Sequence, residues 1–413
     1  MSLDTQGKLT IKGVQVVTGS RTGGALKLLR RTNRERVLEL LLTSGPMHRA
    51  ELARRADVSR TTASTLVAEL MEQGLVVETD EASPSADGRA KESLALAPGA
   101  GLILGMDFIF DRVWIHLTDL SGKEIASRGA VLDEGMAWLE RVDAAMSVLH
   151  EMLAERHLDA ASILGAGIGV PGPVDKATGH VGVSLPGQPW SHVHAAEEFE
   201  RRLGIPVSIE NGTRLEAVAE ANWGAGRDID SLLYVNLSSG IGSSLIVGGR
   251  AYSGAVGAAG ELGHVSVDIN GPACGCGNRG CLVLYAGIPA ILAALRPHLG
   301  EQTTIEDVLR HCAQGDRACA GVLADAGAIV GRALASLCNL LNPERIVIGG
   351  ELAGAGAVLF EPLREAIHRY ALSLVREVEV VPVQLDLGVR AGAVGGAALV
   401  QSDTAALAAA LAR

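Results

Sequence analysis

Aromatic residues make up only 3% of this 413-residue chain. That scarcity, beside 51 glycines, fits a Val/Ala/Gly-rich α/β protein with tight strand–loop–helix corners better than an all-β one. No run reaches the ~18 consecutive apolar residues of a membrane span. The first residues, "MSLDTQGKLTIKG", lack the basic-then-apolar profile of a secretory leader. A cytoplasmic protein with no membrane partner is therefore expected. Excess positive charge is also missing: 36 Lys/Arg face 47 Asp/Glu, a net of −11. That excludes a protein coated with nucleic acid over its whole surface. Cysteine is sparse, six in all, and three lie within eight residues, a pattern that favours a metal site over disulfides in a cytosolic chain.

What is present is unevenly distributed. Hydrophobic residues reach 48%, enough to fill the cores of two or three domains. Residues 21–92 carry 12 Lys/Arg against 11 Asp/Glu, so the net negative charge arises entirely in residues 93–413. The expected organisation is a flexible segment over residues 1–20, a small near-neutral domain over 21–97 and a large acidic one over 98–413.

The small domain reads as three helices and a hairpin. "NRERVLELLLTSG" is amphipathic, with Val37, Leu38, Leu41 and Leu42 on one side and a stop at Gly45. "HRAELARRADVS" gives a second helix and a turn, and Ser59 is placed to cap a third, "RTTASTLVAELMEQG", which ends at Gly74. Two short strands flank the polar stretch "TDEASPSADGRAK". This is the winged helix-turn-helix pattern, whose partner is operator DNA. The candidate DNA contacts are Ser59, Arg60, Thr61, Thr62 and Ser64 at the start of the third helix and Arg89 and Lys91 on the wing. A helical dimerisation or protein-docking module with solvated polar residues is the alternative.

From Gly101 onward the pattern is α/β in two halves, each with strands, a glycine-rich turn and helices, which suggests two lobes around a cleft. "GHVSVDINGPACGCGNRGC" sets His264 ten residues before Cys274, followed by Cys276 and Cys281. One imidazole and three thiolates form a closed tetrahedral set suited to structural zinc. The intervening glycines let a short loop fold back on itself. Cys312, Cys319 and Cys338 lie in apolar helical surroundings and read as core.

Between about Gly101 and Val400 the chain resembles the ROK group of repressors and sugar kinases. The resemblance rests on "GVPGPVD", "NLSSGIGSSL", "GELGH…CGCGNRGC" and "LNPERIVIGG". It implies a two-lobed, actin-like (ribonuclease H-like) sugar kinase fold behind the winged helix-turn-helix. That order of domains is similar to the regulator branch with its xylose and N-acetylglucosamine repressors. The same four metal ligands recur in the family motif. Carried over residue by residue, Asn211, Glu261 and His264 become sugar ligands, and Ser184 stands where the family has the asparagine of "NLP".

Departures from the kinase pattern are concentrated at the chemistry. The phosphate cradle of such kinases is an aspartate, two glycines and a threonine; here Asp107 is followed by Phe108-Ile109-Phe110-Asp111. The base position, the aspartate of "END", is Gly212 in "IENGTRLEAVAE". A sugar-contacting glutamate after the last zinc cysteine is replaced by Val283. Phosphoryl transfer needs both a cradle and a base, so no enzymatic activity and no ATP are expected, and no residue is assigned as catalytic. The resulting expectation is a transcriptional regulator of carbohydrate genes, a repressor acting as a homodimer or homotetramer under control of a sugar or sugar derivative. An effector-independent DNA-binding dimer remains the alternative. A bifunctional sugar kinase, with Glu210 or Glu216 as a substitute base, is the remaining one.

Overall fold

A computed structural model describes residues 22–79, 93–133, 135–182, 188–385 and 387–412. They divide into two compact units, one formed by residues up to Ala97 together with Ala408–Arg413, the other by Pro98–Leu407.

In the first unit, α1 runs Thr22–Ser44, followed by β1 (Met47–His48), α2 (Arg49–Arg55), α3 (Arg60–Glu72), β2 (Val76–Thr79) and β3 (Ser93–Leu96). Val37, Leu38, Leu41, Leu52, Ala53, Ala63, Leu66, Val67 and Leu70 are buried. This is the inward set expected from helical spacing, except that Leu42 is only half-buried. Gly45, at φ 68°, terminates α1 with its N–H on the Leu41 carbonyl, the left-handed stop that glycine adopts without steric cost. The sheet order is β1-β3-β2, so the hairpin gains a third strand that two residues are too short to announce. The wing tip, with Arg89 and Lys91, lies outside the described residues.

One boundary differs from expectation. Helix α1 starts at Thr22, eleven residues ahead of Asn33, which reads as a start in the sequence. Gly23 and Gly24 disfavour its first turn, but no proline follows Thr22, and pairing across and along the helix favours continuation: Arg30 pairs with Glu69 of α3, and Arg31 with Glu35 one turn on at 2.8 Å. Within the same unit, Arg34 donates to the Leu411 carbonyl at 3.1 Å, and Ala408 and Leu411 are buried.

The second unit contains two lobes built to one plan. In the first lobe β4 (Leu102–Phe108), β5 (Arg112–Asp119) and β6 (Glu124–Val131) form an antiparallel meander. Helix α4 (Trp138–Glu155) leads to β7 (Ile163–Val170). A small sheet of β8 (Val174–Asp175), β9 (His180–Val181) and β10 (Val193–His194) follows, then α5 (Ala195–Leu203), β11 (Val207–Asn211) and α6 (Gly212–Trp223). The main sheet has the order β11-β7-β4-β5-β6. The second lobe repeats the scheme with β12 (Ser231–Leu237), β13 (Ile241–Val247) and β14 (Arg250–Ala251). Helices α7 (Val283–Ala286), α8 (Ile288–Leu299), α9 (Ile305–Ala313) and α10 (Arg317–Leu341) come next. The chain continues through β15 (Arg345–Gly349), α11 (Ala357–Tyr370), β16 (Glu379–Pro382), α12 (Ala391–Ser402) and α13 (Thr404–Leu411), the last residues of which belong to the first unit. The second lobe's sheet order is β14-β13-β12-β15-β16. Each sheet thus has three antiparallel strands and two added in parallel. Each lobe has its own apolar core, one formed by β4, β5, β7, α4 and α5 and the other by β12, β15 and α8 to α11.

Glycine lets α12 lie against the first sheet backbone to backbone. A Cβ on Gly105 of β4 would fall 1.9 Å from the Ala393 carbonyl oxygen, and one on Gly395 would fall 1.8 Å from that of Leu215 in α6. No side chain fits at either contact. Helix α10 is long and apolar enough to cross a bilayer by length and composition, although Arg317, Asp325 and Arg332 interrupt it and conceal this from a count of consecutive apolar residues. Half of the apolar window is buried. Gly327 and Gly331 bring it against the backbone of α11, where an added Cβ would meet the Leu359 and Leu363 carbonyls; it is the core helix of its lobe.

Candidate functional site

The strand-to-helix corner at Glu210–Asn211 is where the first lobe gathers its polar groups. Asn211 caps α6, its Oδ1 accepting from the Arg214 N–H at 3.4 Å, while its Nδ2 donates to the Gly172 carbonyl at 3.0 Å. Glu210 is buried, and accepts from its neighbour's Asn211 N–H at 2.8 Å, from Arg214 at 2.5 Å and from Lys176 at 3.0 Å. Arg214 is buried too. Its other terminal nitrogen donates to the Gly257 carbonyl and, at 3.5 Å, to that of Ala259. Both carbonyls sit just ahead of Glu261, so one guanidinium joins α6 to the segment that carries the second group of candidate ligands. Sequence alone missed this: an i, i+4 charge pair on a helix ordinarily reads as a solvated one.

That second group is built on a short helical turn. Glu261 precedes a turn of 3-10 helix, Leu262–His264. The Gly260 carbonyl is held by the Ser243 N–H at 2.8 Å and the Ser243 hydroxyl at 3.1 Å. Burial raises the Glu261 carboxyl above its ordinary value, with His264 and Arg214 acting in the opposite sense. The structure brings His264, Cys274, Cys276 and Cys281 together with all ligand atoms within 4.8 Å of one another. His264 Nδ1 lies 3.7 Å from Cys274 Sγ, and Cys276 Sγ lies 3.6 Å from Cys281 Sγ. Tetrahedral zinc with Zn–S of ~2.3 Å has ligand atoms about 3.5–3.8 Å apart, so the set fits. Burial first, then Cys276 and Cys274, push the Cys281 thiol up to about 12. A divalent cation held by these four residues would supply the charge that lets the thiols ionise. With four protein ligands it would have no open position for substrate.

The turn after Asp107, where the family resemblance puts a phosphate cradle, is occupied by its own residues. Phe108 is buried against Trp190, ring centres 4.8 Å apart. The Ile109 N–H, which a cradle would turn toward a phosphate, donates to the Arg112 carbonyl at 2.9 Å. Asp111 holds Arg112 through two bonds of 2.8 Å. Buried Arg141 of α4 donates to the Phe110 carbonyl at 2.8 Å. The Ile109 N–H and the Phe110 and Asp111 carbonyls of this turn are thus bonded within the protein, and the turn ends in an aspartate.

Asp107, near the end of β4, lies against Gly212. A Cβ placed on Gly212 would be 2.8 Å from Asp107 Oδ1. That oxygen is buried and has no hydrogen-bond partner among the described residues. Burial, and then Glu216, raise the Asp107 carboxyl well above its ordinary value. Glu216, half-buried with Asn236 Nδ2 donating to it at 2.7 Å, is raised to about 7 by desolvation. A carboxyl whose native pKa exceeds its unfolded one binds a proton on folding, so stability is full below about 4.5 and falls as pH rises to about 7. Glu216→Gln, which keeps the acceptor oxygen, is expected to flatten that decline. Urea midpoints at pH 5 and pH 8 measure it, and a wild-type curve without the decline would refute the assignment.

At the start of α3 the Ser59 hydroxyl accepts from the Thr62 N–H at 3.0 Å and lies 2.8 Å from the Thr62 hydroxyl. Ser59, Arg60, Thr61 and Ser64 are exposed and Thr62 is half-buried. Ser184 lies outside the described residues; Glu261 lies beside His264 and within reach of the charge of Arg214, whose N–H bonds to Asn211. Val283 opens α7, half-buried.

Comparison with known proteins gives a consistent set of relatives. The ROK family pattern matches residues 127–403 and the MarR family pattern residues 36–90. The xylose repressor of Bacillus subtilis (strain 168) is 28% identical over 373 residues, covering 90% of this chain and 95% of that protein. The N-acetylglucosamine repressor of Escherichia coli O157:H7 is 28% identical over 391 residues, covering 92% and 94%. Among solved structures, a ROK family transcriptional regulator, homologous to an E. coli protein named MLC, superimposes with a TM-score of 0.74 at 26% identity, covering 93% of this chain and 98% of that one. A ROK family glucokinase from Streptomyces griseus, in complex with glucose and AMPPNP, gives 0.64 at 26% identity, covering 72% and 99%. The regulator covers both units; the kinase matches a smaller share of the chain.

Proposed function

The chain belongs to the ROK family, and from that footing we propose that it is a DNA-binding transcriptional repressor of carbohydrate genes whose ROK unit senses a sugar without phosphorylating it. Residues 21–97 are the operator-reading part and residues 98–413 the sensing and dimerising part. The observation that carries the reading is the combination, in one chain, of the capped, hydroxyl-rich start of α3 with a kinase site that has lost its base at Gly212 and its cradle at Ile109. Asn211, Glu261 and His264 are the sugar ligands, with Ser184 a fourth. Ser59, Arg60, Thr61, Thr62, Ser64, Arg89 and Lys91 are the DNA contacts. Zn2+ is the ion of the Cys3His set and acts structurally. The protein works in the cytoplasm as a homodimer or homotetramer. A sugar that binds one arrangement of the lobes better than another shifts operator affinity by its differential affinity alone.

Selection of bound sites from random DNA identifies the operator, and a carbohydrate panel then tests whether one sugar weakens that complex. Operator binding unaffected by every sugar, with no rise in melting temperature, would sink the sensing reading and leave an effector-independent dimer. Gly212→Asp separates regulator from dormant kinase. The new carboxylate would start against Asp107, and the Ile109 N–H stays bonded to the Arg112 carbonyl. The expected result is no ATP-dependent sugar phosphorylation in either wild type or variant; appreciable turnover in either would overturn the reading of the site.

A further inference from the structure

The small sheet β8–β10 carries a second group of metal-competent side chains, remote in sequence from the cysteine cluster. Its two faces are sharply different. Val174, Val181 and Val193 stand in one row across the three strands, and all are buried. The next row is Asp175, His180 and His194, in register across the same strands, and strand alternation turns it to the opposite face. His192, two residues before His194, joins them: its ring centre is 6.1 Å from that of His180, and the His194 ring centre is 5.0 Å from His180. Three of the chain's 11 histidines therefore share one patch with a carboxylate.

We propose that this patch is a second metal site, taking a divalent late first-row transition ion through His180, His192 and His194, with Asp175 as the oxygen donor. Two imidazoles sharing one ion at ~2.1 Å hold their ring centres about 5 Å apart, the spacing seen for His180 and His194. Among the described residues only the Cys3His group already has its ligand atoms within 4.8 Å, so the histidines reach the ion by side-chain rotation. They are exposed or half-buried and free of that cost of reshaping a core. Nitrogen and oxygen donors suit Ni2+, Cu2+, Co2+ or Zn2+ and distinguish the patch from the thiolate set. The ion would fasten strands of only two residues each. Their position gives the fastening a consequence. Gly172, two residues before β8, accepts from Asn211, and Val174 lies against Gly257, whose carbonyl accepts from Arg214. Occupancy would stiffen the wall of the sugar corner. The proposal stands without the sugar reading.

The test uses tag-free, zinc-loaded full-length protein titrated with Ni2+ by calorimetry and equilibrium dialysis. The expected result is one further equivalent per chain, with affinity about 100-fold lower in both His180→Ala and His194→Ala, comparable to the loss of a metal-site partner, and unchanged zinc content in each. Co2+ added to the same zinc-loaded protein should give visible bands without a thiolate charge-transfer band. No further equivalent in the wild type, retention of it in either variant, or a thiolate signature for the added Co2+ would overturn the proposal. Unchanged zinc content and melting temperature in the metal-free variants show that the fold is intact.

Discussion

Cys276→Ser is expected to strip the chain of its zinc at concentrations where the wild type retains a full equivalent. Structural zinc contributes about 10–16 kcal/mol through four ligands, so the loss of one thiolate lowers affinity by roughly 100- to 1,000-fold. Cys276 Sγ is 3.6 Å from Cys281 Sγ, and the same loop pairs Ser266 with Cys281 and Ala273 with Arg279 as isolated bridges. Without the ion, the anchor on His264 is lost, and Glu261, which shares its turn, is no longer held. Metal content by mass spectrometry under native conditions, with melting temperature alongside, measures the outcome. A variant that keeps one tightly bound zinc would show that the Cys3His set is not its site. Operator binding at saturating zinc distinguishes a local effect from general unfolding, since the DNA-reading unit is compact in its own right.

Arg214→Met is expected to destabilise the protein by about 3 kcal/mol, because removing one partner of a buried ion pair leaves an uncompensated charge. The residue holds Glu210 at 2.5 Å and the carbonyls of Gly257 and Ala259, and both members of the pair are buried. Lys176, half-exposed, also reaches Glu210 at 3.0 Å and limits the loss. The double variant Arg214→Met/Glu210→Gln should recover a substantial part of the stability, since neither charge then remains. Urea unfolding of the four proteins closes the cycle. If the double variant is as unstable as the sum of the single ones, the pair is not coupled and the contact to the Gly257 segment is the whole effect.

Some of this architecture is legible without coordinates, and the reason differs by element. Helix α3 announces itself because Ser59 and Gly74 bracket an apolar stripe, and both ends are local chemistry. The metal set is legible because CxC with a histidine ten residues ahead has little use in a generic core. The corner "IENGTRLEAVAE" is marked in the sequence by its strand-to-helix change, and the structure places that change at Asn211, the cap of α6. What could not be read is what depends on distant partners. Asn33 looks like a helix start, yet α1 passes through it, held by Arg30 on Glu69, thirty-nine residues away. Helix α12 carries glycines that weaken a helix by propensity, and only the approach of Asp107, Leu215 and Gly167 explains them. The position of Asp107 against Gly212 requires two elements over a hundred residues apart to meet. The histidine row exists only once the register of three two-residue strands is known.

The first unit closes on a contact between Arg34 and Leu411, separated by 377 residues. Loop closure over so long a stretch is slow relative to contacts within one helix pair, and late in any order of assembly. Most of α1, α2, α3 and the hairpin can form on local contacts; the last buried leucine of that unit cannot, because the entire 310-residue span of Pro98–Leu407 lies between. In refolding from denaturant, the smaller unit is therefore expected to reach its final packing after much of its own secondary structure is in place, with DNA binding recovered in a slower phase than helix content. Chain connectivity, rather than size, sets the pace of the part that reads DNA.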